Sequence, residues 1–233
     1  GDKVYKDSYT SAQDIGFGVA DLAREGSDND SYIINNGTTI ALPSFVAKIG
    51  DTKYQTVEAA FAAATSGQTV ELIADTYGDI VIPAEFNGTL AIGDCTLNSI
   101  TNNSATAKIV INGNVVVKNA NGSAITGEFI NISGNGTLTA IANGDHAYGI
   151  GGDNTKSITI ENVHILKVQG GHYGEIGTDT KYYKDAPEGG AAIGSGYNGA
   201  VITLTNVTID EALGGSKAAG IGALYHTGVT INI

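Results

Sequence analysis

An isoleucine flanked by small residues recurs along this 233-residue chain, and its spacing limits the fold more than any other feature. The repeated residues are Ile100, Ile125, Ile150, Ile193 and Ile221. The first three are 25 residues apart, the next interval is 43 residues and the last is 28 residues. A period of about 20 to 50 residues is typical of repeat proteins, in which each repeat packs against its neighbours. One register with a single long insertion accounts for all five positions.

A second pattern has the same register and consists of two short apolar–x–apolar segments on either side of a polar turn residue. Its five copies align as follows: Leu90, Ile92, Asp94, Cys95, Leu97; Ile109, Ile111, Asn114, Val115, Val117; Ile130, Ile132, Asn135, Gly136, Leu138; Ile158, Ile160, Asn162, Val163, Ile165; and Ile202, Leu204, Asn206, Val207, Ile209. In copies two and three we assign one extra turn residue, Gly113 and Gly134. Alternation with a period of two residues indicates strands that bury one face.

The residue between these strands is Asn or Asp, which adopts the left-handed backbone conformation more readily than most residues. In stacked copies the turn amides would align and hydrogen-bond to one another, so we predict an asparagine ladder that includes Asn162. The isoleucine segment supplies a third strand, and its small neighbours allow close passage of the backbone. Three strands in a coil of about 25 residues predict an all-β protein, a parallel β-helix.

The region before the coils is predicted to cap the stack. Residues 55–72 contain an Ala-rich amphipathic segment, and we predict a helix over 56–65 with Thr56 as its N-cap and Gly67 as its C-cap. One face of this helix carries Val57, Ala60, Phe61 and Ala64. A helix at this place would cover the open end of the stack and prevent edge-to-edge aggregation.

The pattern also predicts the domain organisation. Residues 1–46 lack it and are expected to form an irregular N-terminal extension with short strands near 31–34 and 38–41. Residues 47–233 are expected to form the β-helix domain. Because the last coil has barely passed its final strand at Ile233, we expect the chain to continue or another element to cover this end.

The capping segment and the coils together resemble the right-handed β-helix superfamily of pectate lyases and polygalacturonases. The motifs that carry the resemblance are Thr-Val-x-x-Ala-Phe-x-Ala-Ala at 56–64, Gly-Gln-Thr-Val-x-Leu at 67–72 and the Asn turns of the coils. The Gly-Ile-Gly-Gly and Ala-Ile-Gly-Ser-Gly segments are similar to β-helix regions of bacterial cell-surface proteins. The resemblance implies a right-handed parallel β-helix of about five to six coils with an N-terminal capping α-helix.

The complete set of catalytic motifs of those enzymes is absent. A polygalacturonase-like site requires Asn-x-Asp, Asp-Asp, Gly-His-Gly and Arg-x-Lys on successive coils. Residues 143–145 match the first of these motifs, and the other three do not occur. A pectate-lyase-like site requires Arg or Lys as the base, and the one arginine, Arg24, precedes the coils. We therefore expect a non-catalytic extracellular module of a bacterial surface protein, either a spacer or a surface that contacts glycan or protein. A polysaccharide lyase or glycoside hydrolase is the alternative.

The charge and composition of the chain limit which binding partners and which cellular location are expected. The net charge is −12, and nucleic-acid binding relies on clustered Lys and Arg, so no nucleic acid is expected to bind. No apolar run approaches the ~18 residues of a membrane span, so no membrane insertion is expected in this segment. Low charge content and a single cysteine, Cys95, are compatible with an extracellular or cell-surface location. Cys95 occupies an inward position of the repeat and is predicted to be a core residue.

The candidate ligand site lies around the long interval between Ile150 and Ile193. It contains a loop insertion, 172–190, in which tyrosines and acids are concentrated. The predicted ligand-binding residues are Asp145, Tyr148, Asp153, Tyr173, Glu175, Tyr182, Tyr183 and Asp185. Exposed tyrosine rings pack against the C–H faces of sugars while acids bind hydroxyls, so a polysaccharide or a host or cell-surface glycan is the expected partner. A loop that merely covers coil surface with its own aromatics is the alternative interpretation.

The same carboxylates raise the question of a metal. They supply the oxygen ligands that Ca²⁺ prefers, but the sequence contains neither an EF-hand nor a nonapeptide calcium motif. We therefore expect no cofactor, with Ca²⁺ as the alternative.

Overall fold

The computed structural model describes residues 31–35, 38–42, 45–76, 78–172, 189–223 and 228–233. These residues are predominantly β, with one short helix, α1 (Val57–Ala63). The strands are β1 (Ser31–Asn35), β2 (Thr38–Leu42), β3 (Ala47–Ile49), β4 (Thr52–Tyr54), β5 (Thr69–Leu72), β6 (Asp79–Ile82), β7 (Thr89–Ile92), β8 (Cys95–Leu97), β9 (Ser99–Asn102), β10 (Lys108–Ile111), β11 (Asn114–Lys118), β12 (Ile125–Gly127), β13 (Phe129–Gly134), β14 (Thr137–Ile141), β15 (Ile150–Gly152), β16 (Ser157–Glu161), β17 (His164–Gln169), β18 (Ile193–Ser195), β19 (Ala200–Thr205), β20 (Thr208–Ile209), β21 (Ala212–Leu213), β22 (Ile221–Ala223) and β23 (Val229–Asn232).

Three sheets with mainly parallel pairing contain nearly all of these strands. Sheet A has the order β23-β19-β16-β13-β10-β7-β5-β3-β4. Sheet B has the order β20-β17-β14-β11-β8, with β21 also paired to β17, and sheet C has the order β22-β18-β15-β12-β9-β6. From β7 to β23 the chain passes from sheet A to sheet B to sheet C and then back to sheet A, one coil further along. The prediction of an all-β protein is confirmed at this level.

The isoleucine repeat forms one continuous row in sheet C. Ile125 pairs with both Ile100 and Ile150, and Ile193 pairs with both Ile150 and Ile221, as the sequence spacing predicts. The row also contains a member that the spacing did not indicate, because Ile80 pairs with Ile100. Isoleucines in the interior of the row are fully buried, so each coil completes its core only with its neighbours.

The apolar rows of sheets A and B follow the predicted register except between the second and third coils. We expected Ile109 to align with Ile130, but it pairs with Ile132, and Ile111 pairs with Gly134. Sheet B has the same shift of two residues, since Val115 pairs with Leu138. The prediction was wrong here because Gly134 was interpreted as a turn residue. It is instead the last residue of β13, and its φ of 136° is one that glycine adopts readily.

Two of the predicted turn asparagines form the expected ladder. Asn162 and Asn206 have φ values of 59° and 53°, and the Asn206 Nδ2 atom donates a 3.2 Å hydrogen bond to Asn162 Oδ1. Both side chains are exposed, so this ladder lies at the surface and not in the core. In an earlier coil the Asn114 Oδ1 atom instead accepts a 2.9 Å bond from Thr137 Oγ1, which takes the position expected for Asn135.

The capping helix is present as predicted, with a different end. The Thr56 side chain caps α1 by accepting a 3.1 Å hydrogen bond from the Ala59 amide. Val57, Ala60 and Phe61 are buried in the main core, and α1 packs against β3 to β6 at the first coils. The helix ends with Ala64 as its C-cap and not with Gly67, since Ala64 already has an extended backbone conformation.

The N-terminal region contains two antiparallel hairpins. Strands β1 and β2 confirm the short strands predicted near 31–34 and 38–41, and they pair with each other. Residues 1–30, 36–37 and 43–44 of the extension lie outside the described residues. Strands β3 and β4 form the second hairpin, and β3 also pairs antiparallel with β5. Parallel stacking therefore begins at β5.

Candidate functional site

A row of polar residues follows the ends of three consecutive strands in sheet C. Asn103, Glu128 and Asp153 each lie three positions after an aligned isoleucine, and all three are exposed. Neighbouring strands in a sheet are about 4.8 Å apart, so equivalent positions on successive coils are close together. The stacking thus brings side chains that are 25 residues apart in sequence to one edge of the protein.

These three residues line part of a cleft of about 420 Å³. Its lining is Thr101, Asn102, Asn103, Ser123, Thr126, Gly127, Glu128, His146, Gly152, Asp153, Asn154 and Thr155. The lining is almost entirely hydroxyl, amide, carboxylate and backbone groups. Such a surface offers many hydrogen bonds, which suits a hydroxyl-rich ligand.

Two glycines keep the cleft open. A Cβ atom on Gly152 would lie 2.8 Å from the Thr126 Oγ1 atom. A Cβ atom on Gly196 would lie 2.9 Å from the Asp153 Oδ1 atom. A side chain at either position would therefore crowd a polar group of the lining, Thr126 or Asp153.

Buried hydrogen bonds hold the floor of the cleft. The Asn102 Nδ2 atom donates a 2.8 Å bond to the Phe129 carbonyl, and its Oδ1 atom accepts a 3.1 Å bond from the Ser104 amide. The Thr155 hydroxyl donates a 2.7 Å bond to the Gly127 carbonyl. Because Asn102 and Thr155 are buried and bonded to the backbone, the floor is preorganised.

Tyr148 and Asp153, two of the predicted ligand-binding residues, contact each other. The Tyr148 hydroxyl donates a 2.9 Å hydrogen bond to Asp153 Oδ1. The Tyr148 ring is fully buried against Ala191 and Ala218, so the expectation of an exposed ring at this position is wrong. Tyr148 therefore orients the Asp153 carboxylate, which lines the cleft.

Tyr197 is an exposed tyrosine beside the cleft. This residue is 41% exposed, and its amide donates a 2.8 Å hydrogen bond to the Ser195 hydroxyl. The Lys156 Nζ atom lies 5.9 Å from the centre of the Tyr197 ring and 5.7 Å from that of Phe129. Lys156 also forms an ion pair with Glu128, and this hydrogen bond raises the pKa of the lysine. The ion pair links the Tyr197 ring to the carboxylate row.

Asp145, another predicted ligand-binding residue, pairs with a histidine. The His172 Nε2 atom lies 2.9 Å from Asp145 Oδ1, and the carboxylate side chain is 76% exposed. His146, the residue after Asp145, lines the cleft. Asp145 is thus adjacent in sequence to the cleft, but the lining itself does not include it.

The remaining predicted site residues are Tyr173, Glu175, Tyr182, Tyr183 and Asp185, and all of them lie outside the described residues. The structure does define both ends of the insertion. A Cβ atom on Gly189 would lie 2.0 Å from the Gly171 carbonyl oxygen, so the chain leaves and rejoins the stack at one point. The Gly189 amide donates a 3.0 Å bond to the Ser216 carbonyl.

A metal ligand set is not apparent in the part of the chain that the structure describes. No group of three or more His, Cys, Asp or Glu side chains in it is arranged to hold an ion. Over the same residues, no helix combines the length and the apolar character needed to cross a membrane.

Comparisons of this chain with protein-family models, with curated proteins and with solved structures found no match. The fold and the cleft therefore have to be interpreted from the residues themselves.

Sequence reasoning missed Glu128, Tyr197, Asn103 and His146. A signal for the first and third of these was present, because both lie three positions after an aligned isoleucine, as Asp153 does. Tyr197 lies one position further on in its coil, at the place equivalent to Asn154. Counting from the isoleucine row would have found this polar row, whereas a search for familiar catalytic motifs did not.

Proposed function

We propose that residues 47–233 form a right-handed parallel β-helix of about five to six coils, capped by α1. The cyclic passage through sheets A, B and C and the parallel register of each sheet support this architecture. The pectate-lyase-like resemblance of the capping segment agrees with it. In this fold a rigid stack supports the turns at its edges, where binding groups commonly lie.

We infer that this β-helix is a non-catalytic extracellular module of a bacterial surface protein, and that it contacts a polysaccharide or a cell-surface glycan. The observation that carries the inference is the preorganised polar cleft with an exposed aromatic ring beside it. Hydrogen-bonding groups of Asp153, Asn154 and Asn103 face the cleft, while Tyr197 offers a ring face for a sugar. Neither a cofactor nor a metal is needed for such contacts.

A glycan array followed by calorimetric titration tests this proposal. Wild-type protein should bind at least one glycan class, and Tyr197→Ala should weaken that binding about tenfold or more, because the ring face is lost. Tyr197→Phe keeps the ring and serves as the matched control, with affinity close to wild type. Binding that is equal in the Ala and Phe variants would remove Tyr197 from the site, and no binding to any glycan would remove the proposal.

We propose that the insertion is a second region that contacts the glycan. The insertion leaves and rejoins the stack at Gly171 and Gly189, and its sequence contains the tyrosines and acids Tyr173, Glu175, Tyr182, Tyr183 and Asp185. The double variant Tyr182→Ala/Tyr183→Ala tests this part separately. If the affinity for a confirmed glycan is unchanged, the loop only covers coil surface.

Glycoside hydrolysis or polysaccharide lysis is the second candidate, and one observation favours it. Glu128 and Asp153 occupy equivalent positions on neighbouring coils and line one cleft, and glycosidases use pairs of carboxyl groups. Against it, each carboxylate already has a partner, Lys156 or Tyr148. Turnover of polysaccharides that is abolished by Asp153→Asn would establish the enzyme. Binding without turnover would establish the module.

A further inference from the structure

The charges around the cleft point to the class of sugar that it accepts, and this inference rests on the proposed function. The lining contains two carboxylates, Asp153 and Glu128, and among the described residues that line it there is neither lysine nor arginine. Lys156 is bound to Glu128, and His146 is the one group in the described lining that can carry a positive charge. Among the described residues, a bound sugar therefore meets the Asp153 carboxylate without a lysine or arginine paired to it.

The carboxylate of Asp153 is fixed in place. Its Oδ1 atom accepts the hydroxyl of buried Tyr148, and Gly196 approaches it closely from the next coil. Because Asp153 is held there, it cannot turn away from an incoming anion without losing this bond. The oxygen that remains is suited to accept a hydrogen bond from a sugar hydroxyl.

We propose that the cleft binds sugars without acidic groups and rejects uronic acids. A uronate carboxylate would approach Asp153 with no lysine or arginine of the described lining beside it, and like charges a few ångströms apart repel. Hydroxyl groups can donate to Asp153 and accept from the amides of Asn103 and Asn154. The described lining of this cleft therefore offers no lysine or arginine to bind a uronate.

Matched oligosaccharide pairs test the charge preference directly. Each pair has one backbone, for example a galacturonide with fully methyl-esterified carboxyls and the same galacturonide as the free acid. In a pair that binds, the neutral member should bind about tenfold more tightly at low salt, which equals about 1.4 kcal/mol. The difference should shrink at high ionic strength, because salt screens the repulsion.

Two variants assign the effect to one carboxylate. Asp153→Asn keeps the shape of the side chain and removes its charge, so the preference for the neutral member should fall to about twofold or less. Asp51→Asn removes the same charge from an exposed turn in the β3–β4 hairpin, and the preference should stay at the wild-type value. This control separates the local charge from the net charge of the protein.

The outcomes distinguish the two proposals. If acidic members bind as tightly as their neutral partners or more tightly, the charge inference is wrong while glycan binding stands. If an unchanged preference remains in Asp153→Asn, the selectivity does not come from Asp153 and the inference is also wrong. If no member of any pair binds, the proposed glycan contact itself fails.

Discussion

At the scale of single residues, the turn asparagines show how a local conformational preference becomes a stacking contact. Asn162 and Asn206 both adopt a left-handed conformation, and the stack then places one amide above the other. The sequence predicted this conformation, because Asn adopts it more readily than most residues. Their exposure was not, because it depends on how far each turn projects from the core.

Replacing Asn162 with leucine should destabilise the protein by about 1–2 kcal/mol. Leucine is strained in the left-handed region and cannot accept the bond from Asn206. Asn154 is also an exposed turn residue but does not have a positive φ, so Asn154→Leu is the matched control. Thermal unfolding measures both variants, and equal decreases in Tm would count against the ladder.

Cys95 illustrates a residue whose role the sequence predicted. It is buried and pairs with Val115, as expected of an inward position. Burial raises the pKa of the Cys95 thiol to about 11, with Asp75 and Asp94 adding to the effect. The thiol is therefore neutral at pH 8, and it is a core group that does not act as a nucleophile.

Alkylation with iodoacetamide at pH 8 should be about 100-fold slower in the folded protein than in denaturant, because thiolate is correspondingly scarcer. In the unfolded chain the thiol ionises near its ordinary pKa of 9.0, and in the folded protein near 11. Stability contributed by the buried neutral thiol is thus complete below pH 9 and is lost as the pH rises towards 11. The stability difference between wild type and Cys95→Ala should decline over that window. Equal alkylation rates in the two states would show that Cys95 is accessible.

At the scale of strands, glycine decides where backbones can approach. In sheet C, Gly194 follows an aligned isoleucine, and a Cβ atom on it would lie 2.1 Å from the Gly222 carbonyl oxygen. Glycine also explains the one register that we predicted wrongly, since Gly134 continues β13. A glycine gives neither an apolar nor a polar signal, so a pattern of alternating residues cannot tell a strand end from a turn.

Gly194→Ala should destabilise the protein by about 2–3 kcal/mol, because the backbone of the next coil has to move away. Gly93 has open space around the position of a Cβ atom and does not have a positive φ, so Gly93→Ala should change stability by about 0.5 kcal/mol or less. Denaturant unfolding compares the two. A tolerated alanine at 194 would contradict the close packing of the strands in sheet C.

At the scale of the whole molecule, the stack is continuous on both sides of the insertion. The isoleucine row continues across the insertion, since Ile150 pairs directly with Ile193. Gly171 and Gly189 are in contact where the insertion begins and ends. Sequence spacing predicted this continuity from the 43-residue interval. The spacing also contains the polar row, but it could not predict the cleft, whose floor depends on the buried hydrogen bonds of Asn102 and Thr155.

Deleting residues 173–188 and joining His172 to Gly189 should leave a cooperative unfolding transition with Tm within a few degrees of wild type. The coils on either side of the insertion retain their pairing. Because Gly171 and Gly189 are already in contact, closing the shortened loop costs little conformational entropy. Circular dichroism should keep its β spectrum. Loss of the transition would show that the insertion contributes to the core.

The most direct test of the account is to locate the bound sugar residue by residue. Amide resonances of the ¹⁵N-labelled protein can be followed by NMR during titration with the tightest neutral oligosaccharide from the array. We predict that the largest shifts occur at Asn103, Glu128, Asp153 and Tyr197, on neighbouring coils at one edge of sheet C. Shifts concentrated instead on the outer face of sheet B, around His164 and Asp210, would contradict the assignment of the cleft as the binding site.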